Sequence, residues 1–266
     1  MKLKNMAALL LSGVMALSFA ACGSSKIAPS DVHSVEDLDG KTVGVQTGTT
    51  GDLYISDDET LPNVKVERFS TGFEAVTALK QGKIDAVVID DQPAQAFIRE
   101  NEGLSILETE YVQEDYAICF AKGNAIAADV NAALAELKAD GTLDRIVAAY
   151  INDEGKTGES YVSPADADHS KGKLIMATNA EFPPYEYKDD SGNIIGIDAD
   201  LSRAVGDKIG YEVTIEDMKF DAIISAVTTG KADFGMAGMT VTEERKQSVD
   251  FSDSYYTGKQ VIIVRS

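Results

Sequence analysis

Two stretches of the chain repeat one pattern, in which a helix-like segment ends at a glycine and leads into a short apolar run. The repeated pattern covers Phe73–Asp85 in the first stretch and Phe220–Asp233 in the second, and an apolar run follows each of them. Helical spacing of apolar residues before the glycine, and a continuous apolar run after it, are typical of a helix followed by a buried strand. Strands that alternate with helices form mainly parallel sheets, so the pattern predicts two similar α/β lobes.

The start of the chain has the character of an export signal. A mostly apolar run, Met6–Ala21, follows two lysines and ends in small residues directly before Cys22. This arrangement resembles the lipobox of bacterial lipoproteins, except that Phe19 stands where leucine is usual. We therefore expect a signal peptide over 1–21, lipidation of Cys22 and an anchor tether over 22–30. The alternative is an ordinary secretory signal followed by a chance cysteine.

Composition excludes several classes of function. The 266 residues carry a net charge of −20, and 44% of them are hydrophobic, which is ample for a core. Binding to nucleic acid needs clustered basic residues, so it is not expected. The histidines, His33 and His169, lie in separate polar segments, and Gly48–Gly51 lacks the lysine of a phosphate-binding loop. No metal site, catalytic residue or cofactor is therefore expected, and Cys119 is expected to be a buried hydrophobic residue.

Two segments, Ala177–Tyr187 and Ala237–Arg245, resemble the amino-acid-binding family of type II periplasmic, or extracellular, solute-binding proteins. Three shorter segments, Leu38–Lys41, Gln46–Thr50 and Val88–Pro93, resemble the other lobe of that family. The resemblance implies two Rossmann-like α/β lobes joined by a hinge. It also implies capture of a free amino acid between the lobes and delivery to the permease of an ABC importer, with no enzymatic activity.

The order of these segments is exchanged relative to the family, which predicts a circular permutation. Reading on from Ser266 to Lys26 gives an uninterrupted family-like sequence, and two crossing strands, Val261–Val264 and Tyr116–Ala121, are expected side by side. The expected parts are the second lobe of the family (31–115), a hinge strand (116–121), C-terminal helices packing on the first lobe (122–152), a permutation linker (153–172) and the first lobe (173–266).

The resemblance implies how the charged ends of an amino acid are held. Arg245 offers a planar guanidinium suited to a carboxylate, with Thr240 and the backbone around Gly238 and Met239 beside it. From the facing lobe, Thr49 and Thr50 precede a predicted helix start, where free N–H groups and hydroxyls favour an anion. Asp91 matches the position that pairs with the ligand ammonium.

Further positions are expected to contact the ligand side chain. Phe182 and Phe220 stand where the family stacks aromatic rings on the ligand, and Gln46 and Asp90 are further specificity positions. Asn179 is uncharged where family members for cationic amino acids often carry aspartate, so a neutral polar ligand is favoured. Asp90, together with Glu181, leaves a cationic side chain open.

Two other functions remain open at this stage. One is an enzyme similar to cyclohexadienyl dehydratase on the same fold, for which Asp90 or Glu181 would supply a general acid. The other is a sensory ligand-binding module. The favoured interpretation is a monomeric, extracytoplasmic binding protein whose partners are a free amino acid and an ABC permease, and which contacts the membrane only through lipidated Cys22.

Overall fold

The computed structural model describes residues 28–107, 111–151 and 158–266. The predicted signal peptide, Cys22, most of the predicted tether and residues 153–157 of the predicted linker lie outside these ranges. Within them, no helix combines the length and apolar character of a membrane span.

Lobe A is built on a six-stranded sheet in which strands and helices alternate, as the sequence pattern predicts. Its first elements are β1 (Thr42–Gln46), α1 (Thr50–Asp57), β2 (Lys65–Phe69), α2 (Gly72–Lys80), β3 (Ala86–Asp90), α3 (Asp91–Glu100), β4 (Leu104–Ile106) and β5 (Val112–Tyr116). β1 runs parallel to both β2 and β3, which confirms the predicted parallel arrangement.

Lobe B is built on a five-stranded sheet and carries the remaining helices. Its elements are β6 (Cys119–Ala121), α4 (Ala127–Ala139), α5 (Thr142–Tyr150), β7 (Lys173–Thr178), β8 (Glu181–Phe182), β9 (Glu186–Lys188), β10 (Ile194–Ile195), α6 (Ile197–Ile209), β11 (Glu212–Asp217), α7 (Ile223–Thr228), β12 (Phe234–Gly235), α8 (Glu243–Ser248) and β13 (Val249–Phe251). The sheet order is β11-β7-β12-β6-β13, and α4 and α5 pack on α6. The α/β class with two lobes is thereby confirmed.

The last strand, β14 (Tyr256–Arg265), returns to lobe A. It lies between β3 and β4 in the order β2-β1-β3-β14-β4, and its first half also pairs with β5. The predicted extent of one lobe over 173–266 is therefore too long at its C-terminal end. Val261–Val264 in β14 is a continuous apolar run because both of its faces are covered in the middle of a sheet.

The two crossing strands do lie side by side, but at other residues than predicted. Tyr256–Gln260 pairs antiparallel with Val112–Tyr116, whereas Val261–Val264 pairs with β3 in lobe A. Cys119–Ala121 is already part of the lobe B sheet. The predicted hinge strand 116–121 is therefore shifted, because its apolar residues serve the core of lobe B and the crossing precedes them.

The described part of the predicted linker is bound to α6. The Tyr161 backbone N–H donates to Asp200 Oδ2 at 2.8 Å, and its hydroxyl donates to Asp207 Oδ2 at 2.8 Å. His169 Nε2 lies 2.7 Å from Asp207 Oδ1. Residues 158–172 are thus fixed to lobe B by their polar side chains.

Residues 28–30 lie beside the end of β14. The Ser30 N–H donates to the Arg265 carbonyl at 2.9 Å, and Arg265 Nε donates to the Ala28 carbonyl at 3.2 Å. Two segments that are 235 positions apart in the chain are therefore neighbours at one edge of lobe A.

Candidate ligand-binding site

A cleft lies between the lobes, where the carboxyl ends of β1 and β3 face those of β7 and β12. Its residues surround about 290 Å³ of space, part of it open to solvent. Loops at the carboxyl ends of parallel strands are the usual place for a ligand in such sheets. The lining residues are Gln46, Thr49, Thr50, Asp90, Asn179, Phe182, Glu186, Phe220, Ala237, Gly238, Thr240 and Arg245.

Arg245 is held at the junction of the lobes by the first turn of α8. Thr242 caps this helix and accepts from the Arg245 N–H at 3.1 Å. The buried guanidinium donates to the Thr240 carbonyl at 2.8 Å in lobe B and to the Gly48 carbonyl at 3.0 Å in lobe A. It also lies over the Phe220 ring, 5.4 Å from its centroid. Three of its five N–H donors remain for a carboxylate.

Side chains from the two lobes meet directly in the cleft. Gln46 Nε2 donates to Asn179 Oδ1 at 2.8 Å, and the hydroxyls of Thr50 and Thr240 lie 3.5 Å apart. Asn179 also donates to the Met218 carbonyl at 3.0 Å. The lobes are therefore in contact, with the predicted polar residues of one facing those of the other.

Gly238 occupies a position that only glycine fits. Its φ of +52° is disfavoured for other residues, and an added Cβ would lie 2.9 Å from the Phe182 ring. Its N–H donates to Asp198 Oδ2 at 2.8 Å. The loop before Thr240 is thus fixed close to the aromatic side of the cleft.

Asp90 faces the cleft from the end of β3. Burial, followed by the neighbouring carboxylate of Glu114, raises the pKa of Asp90 to about 7, although the Tyr116 hydroxyl donates to Asp90 Oδ1 and acts in the opposite direction. The Asp90 carboxyl is therefore a group that loses its proton readily when a cation approaches it.

The predicted site residue Asp91 does not line the cleft. Its Oδ2 accepts from Gln92 Nε2 at 3.1 Å, and its Oδ1 is buried with no hydrogen-bond partner among the described residues. Asp91 is the first residue of α3 and approaches lobe B, because burial and then the nearby charges of Tyr256 and Asp91 raise the pKa of Tyr185. Asp90 lines the cleft and Asp91 does not, and the role expected of Asp91 stays a prediction.

Met239, also named from the sequence, is a core residue. It is fully buried in the apolar cluster of Cys119, Ala177 and Ile223, and its carbonyl accepts from Ala117 N at 3.0 Å. The other ten predicted positions all line the cleft. Glu181 is exposed on β8 and is not among the lining residues.

Comparison with known proteins bears on the C-terminal part of the chain. Residues 174–266 match the model of the bacterial extracellular solute-binding proteins, family 3. The match covers about a third of the chain, and over these residues the chain is similar to that family. The family consists of extracellular proteins, which agrees with the predicted extracytoplasmic location.

Individual relatives match over a similar length. The arginine-binding extracellular protein ArtP of Bacillus subtilis is 44% identical over 101 residues, 38% of this chain and 39% of ArtP. A probable histidine-binding protein of Neisseria gonorrhoeae is 38% identical over 111 residues, 41% of this chain and 40% of the relative. The chain thus spans about two fifths of the length of these two curated relatives.

A solved structure, the arginine-bound form of domain 1 from TmArgBP, is 43% identical. That match covers 36% of this chain and 82% of the solved chain, with a TM-score of 0.33. The two curated relatives above are named as binding proteins and not as enzymes, which agrees with the prediction of a binding function.

Several buried polar residues near the cleft escaped prediction from the sequence. Glu186 lines the cleft, and burial together with the neighbouring Asp198 holds its pKa well above the usual value. Asp198 lies in the first turn of α6 and accepts from Gly238 N and from the Tyr255 hydroxyl. Glu114 and Gln260 lie behind the lining. Glu114 alternates with buried Tyr116 along β5, and this spacing is the sequence signal from which burial of the carboxylate could have been predicted.

Among the residues that the structure describes, no group of three His, Cys, Asp or Glu side chains is arranged to hold a metal ion. Cys119 is buried and unpaired, as the sequence predicts.

The buried carboxyls give an expected dependence of stability on pH. In the ligand-free protein, the pKa values of Asp90 and Asp198 are raised to about 7 and about 6. Between pH 5 and pH 8 the folded state therefore holds protons that the unfolded state has already released, so the free energy of unfolding falls as pH rises. We expect Asp90→Asn to reduce this fall by on the order of 1–3 kcal/mol.

Denaturant unfolding at pH 5 and pH 8 measures this effect. Exposed Asp31 is the matched control, because its pKa is lowered and it is ionised in both states throughout this range. The Asp31→Asn variant should keep the wild-type difference between the two pH values. A wild-type stability that rises from pH 5 to pH 8 would contradict the assignment.

Proposed function

We propose that this protein captures a free amino acid between its two lobes outside the cytoplasm and delivers it to the permease of an ABC importer. The observation that carries the proposal is the pairing of a buried guanidinium, Arg245, with a buried carboxyl, Asp90, in one cleft. An amino acid carries one negative and one positive group, so each of its ends has a charged partner. The names of the arginine- and histidine-binding relatives support this assignment.

The arrangement supports one orientation for the ligand. Its carboxylate is best placed at Arg245 and at the N-terminus of α1, where Thr49 and Thr50 add a hydroxyl and free N–H groups. Its ammonium is best placed at Asp90. Because its carboxylate meets groups from both lobes, a bound amino acid stabilises the closed state, which is the form that a permease distinguishes from the open one.

We propose that the ligand side chain is cationic. The sequence favours a neutral polar ligand because Asn179 is uncharged, but Asn179 is occupied by Gln46 and by the Met218 carbonyl. The lining holds two carboxyls, Asp90 and Glu186, and one guanidinium. A second positive charge on the ligand balances the second carboxyl and favours its ionised form.

A thermal-shift screen with the common amino acids tests both parts of the proposal. A ligand at 100 times its Kd should stabilise the protein by about 2.7 kcal/mol. Arginine, lysine or histidine should give the largest shift. A shift with glutamine or asparagine alone would contradict the cationic side chain, and no shift with any amino acid would contradict amino-acid capture itself.

The chain organisation and anchoring expected from the sequence are also proposals. The contact between residues 28–30 and Arg265 supports a circularly permuted order, because the two segments are neighbours in space although they are far apart in the chain. Lipidation of Cys22 would tether a monomer to the membrane near this contact. Mass spectrometry of the mature N-terminus tests the lipid, with Cys22→Ser as the variant that should lose it.

A further inference from the structure

Behind the cleft lining, four polar side chains form one buried hydrogen-bond network. Thr240 Oγ1 donates to Glu114 Oε2 at 3.0 Å, and Gln260 Nε2 donates to the same oxygen at 3.0 Å. Gln260 Nε2 also donates to Thr50 Oγ1 at 3.3 Å, and Thr50 lies 3.5 Å from Thr240. Both threonines line the cleft, whereas Glu114 and Gln260 come from the two crossing strands, β5 and β14.

The numbers of donors and acceptors in this network determine which hydroxyl donates and which accepts in each hydrogen bond. A carboxylate only accepts, so Glu114 requires a donor from each neighbour. Thr240 has a single hydroxyl proton, and it is used on Glu114. What Thr240 presents to the cleft is therefore its lone pairs. Thr50 accepts from Gln260, and because the Thr240 proton is used on Glu114, Thr50 is the donor in the 3.5 Å contact between the two hydroxyls. A ligand carboxylate in the cleft competes for this Thr50 proton.

We propose that Glu114 is a positioning residue that fixes these two hydroxyls in opposite senses and thereby sets the orientation of the bound amino acid. Thr240 becomes an acceptor for the ligand ammonium, and Thr50 becomes a donor for the ligand carboxylate. This inference rests on the proposed amino-acid capture. It goes beyond that proposal because Glu114 is not among the residues that line the cleft and acts only through the threonines.

The setting of Glu114 supports this role. Its side chain is buried, with 4% of the residue exposed, and no partner for its Oε1 atom is present among the described residues. A buried carboxylate is costly unless its hydrogen bonds hold it. The facing residue in the strand pair is Gly258, so no side chain opposes the glutamate, and the Tyr54 side chain is a further hydrogen-bonding group beside it.

Glu114→Gln tests the proposal because an amide is able to donate to Thr240 and so release the hydroxyl proton of Thr240. The probes are arginine, agmatine, which lacks the carboxylate, and 5-guanidinopentanoate, which lacks the α-amine. The same two truncations are made for lysine or histidine if one of these binds best. Calorimetry gives two ratios of Kd for each protein. The amine ratio is the Kd of 5-guanidinopentanoate divided by that of arginine, and the carboxylate ratio is the Kd of agmatine divided by that of arginine.

We expect Glu114→Gln to shrink the amine ratio about tenfold or more, the effect of one hydrogen bond to a charged group, and to leave the carboxylate ratio within about twofold. A merely structural change weakens all three probes equally and leaves both ratios unchanged, which would overturn the proposal. If the wild type binds the amino acid but both ratios are unchanged in the variant, the role of Glu114 is refuted and amino-acid capture is not. No amino-acid binding by the wild type refutes both proposals.

Three further single variants and one double variant make the assignment specific. Asp115→Asn removes the same charge from the next residue of β5, which is exposed, and should match the wild type. Thr240→Ser keeps the hydroxyl and should preserve the amine ratio, whereas Thr240→Val should lower it as Glu114→Gln does. Combining Thr240→Val with Glu114→Gln should add no further loss, because Glu114 acts through Thr240.

Discussion

Replacing Arg245 by alanine is expected to weaken amino-acid binding by on the order of 10²- to 10³-fold, because truncating one partner of a buried charge pair costs about 2–5 kcal/mol or more. The guanidinium is buried at the junction of the lobes and donates to a carbonyl from each of them. Without it, the ligand carboxylate loses its bidentate donor and remains in a place with little water. Isothermal titration calorimetry with the amino acid found in the screen measures the loss.

The neighbouring residue provides the control. Lys246 is exposed and pairs with Glu243 at 2.8 Å, so Lys246→Ala removes a positive charge from the same helix without touching the cleft. It should bind like the wild type. Arg245→Lys should fall between the two, because a lysine keeps the charge but not the planar fork. An Arg245→Ala variant that stays folded and binds normally would refute the proposed site.

Where a motif and the alternation of a strand agree, the sequence was sufficient to predict which residues line the cleft. The two glycine-ended helix–strand patterns gave the parallel arrangement, and the segments around Thr50 and Thr240 were brought to one cleft. Which of Asp90 and Asp91 lines the cleft did not follow from the motif, because β3 ends between the two residues. A motif alone does not fix that boundary.

Long-range pairing was the other limit of prediction. The apolar run of β14 indicates a strand buried on both faces, but two sheets were available to it. Only the packing shows that it lies between β3 and β4. For the same reason Glu114 and Gln260, which are 146 positions apart, could not be paired from the sequence.

Removing residues 259–266 is expected to prevent cooperative folding of lobe A. Val261 and Ile263 pack in one core cluster of the molecule, whereas Ile262 and Val264 pack in the cluster on the other face of the sheet. All four residues are at most 4% exposed. Burying four such side chains contributes about 6–12 kcal/mol, which is comparable to the whole stability of about 5–15 kcal/mol of a typical domain. Circular dichroism and denaturant unfolding measure the loss.

The permuted order predicts how that loss is reversed. A chain that runs from residue 158 to residue 266 and continues directly with residues 26–151 keeps β14 and the segment bound to α6. Its new peptide bond, between Ser266 and Lys26, joins two segments that already contact each other through Arg265 and Ser30. This chain should fold cooperatively and bind the same amino acid, whereas its counterpart without residues 259–266 should not. If the rearranged chain fails to fold although the original order folds, the order of the original chain is not a permutation of a continuous family-like fold.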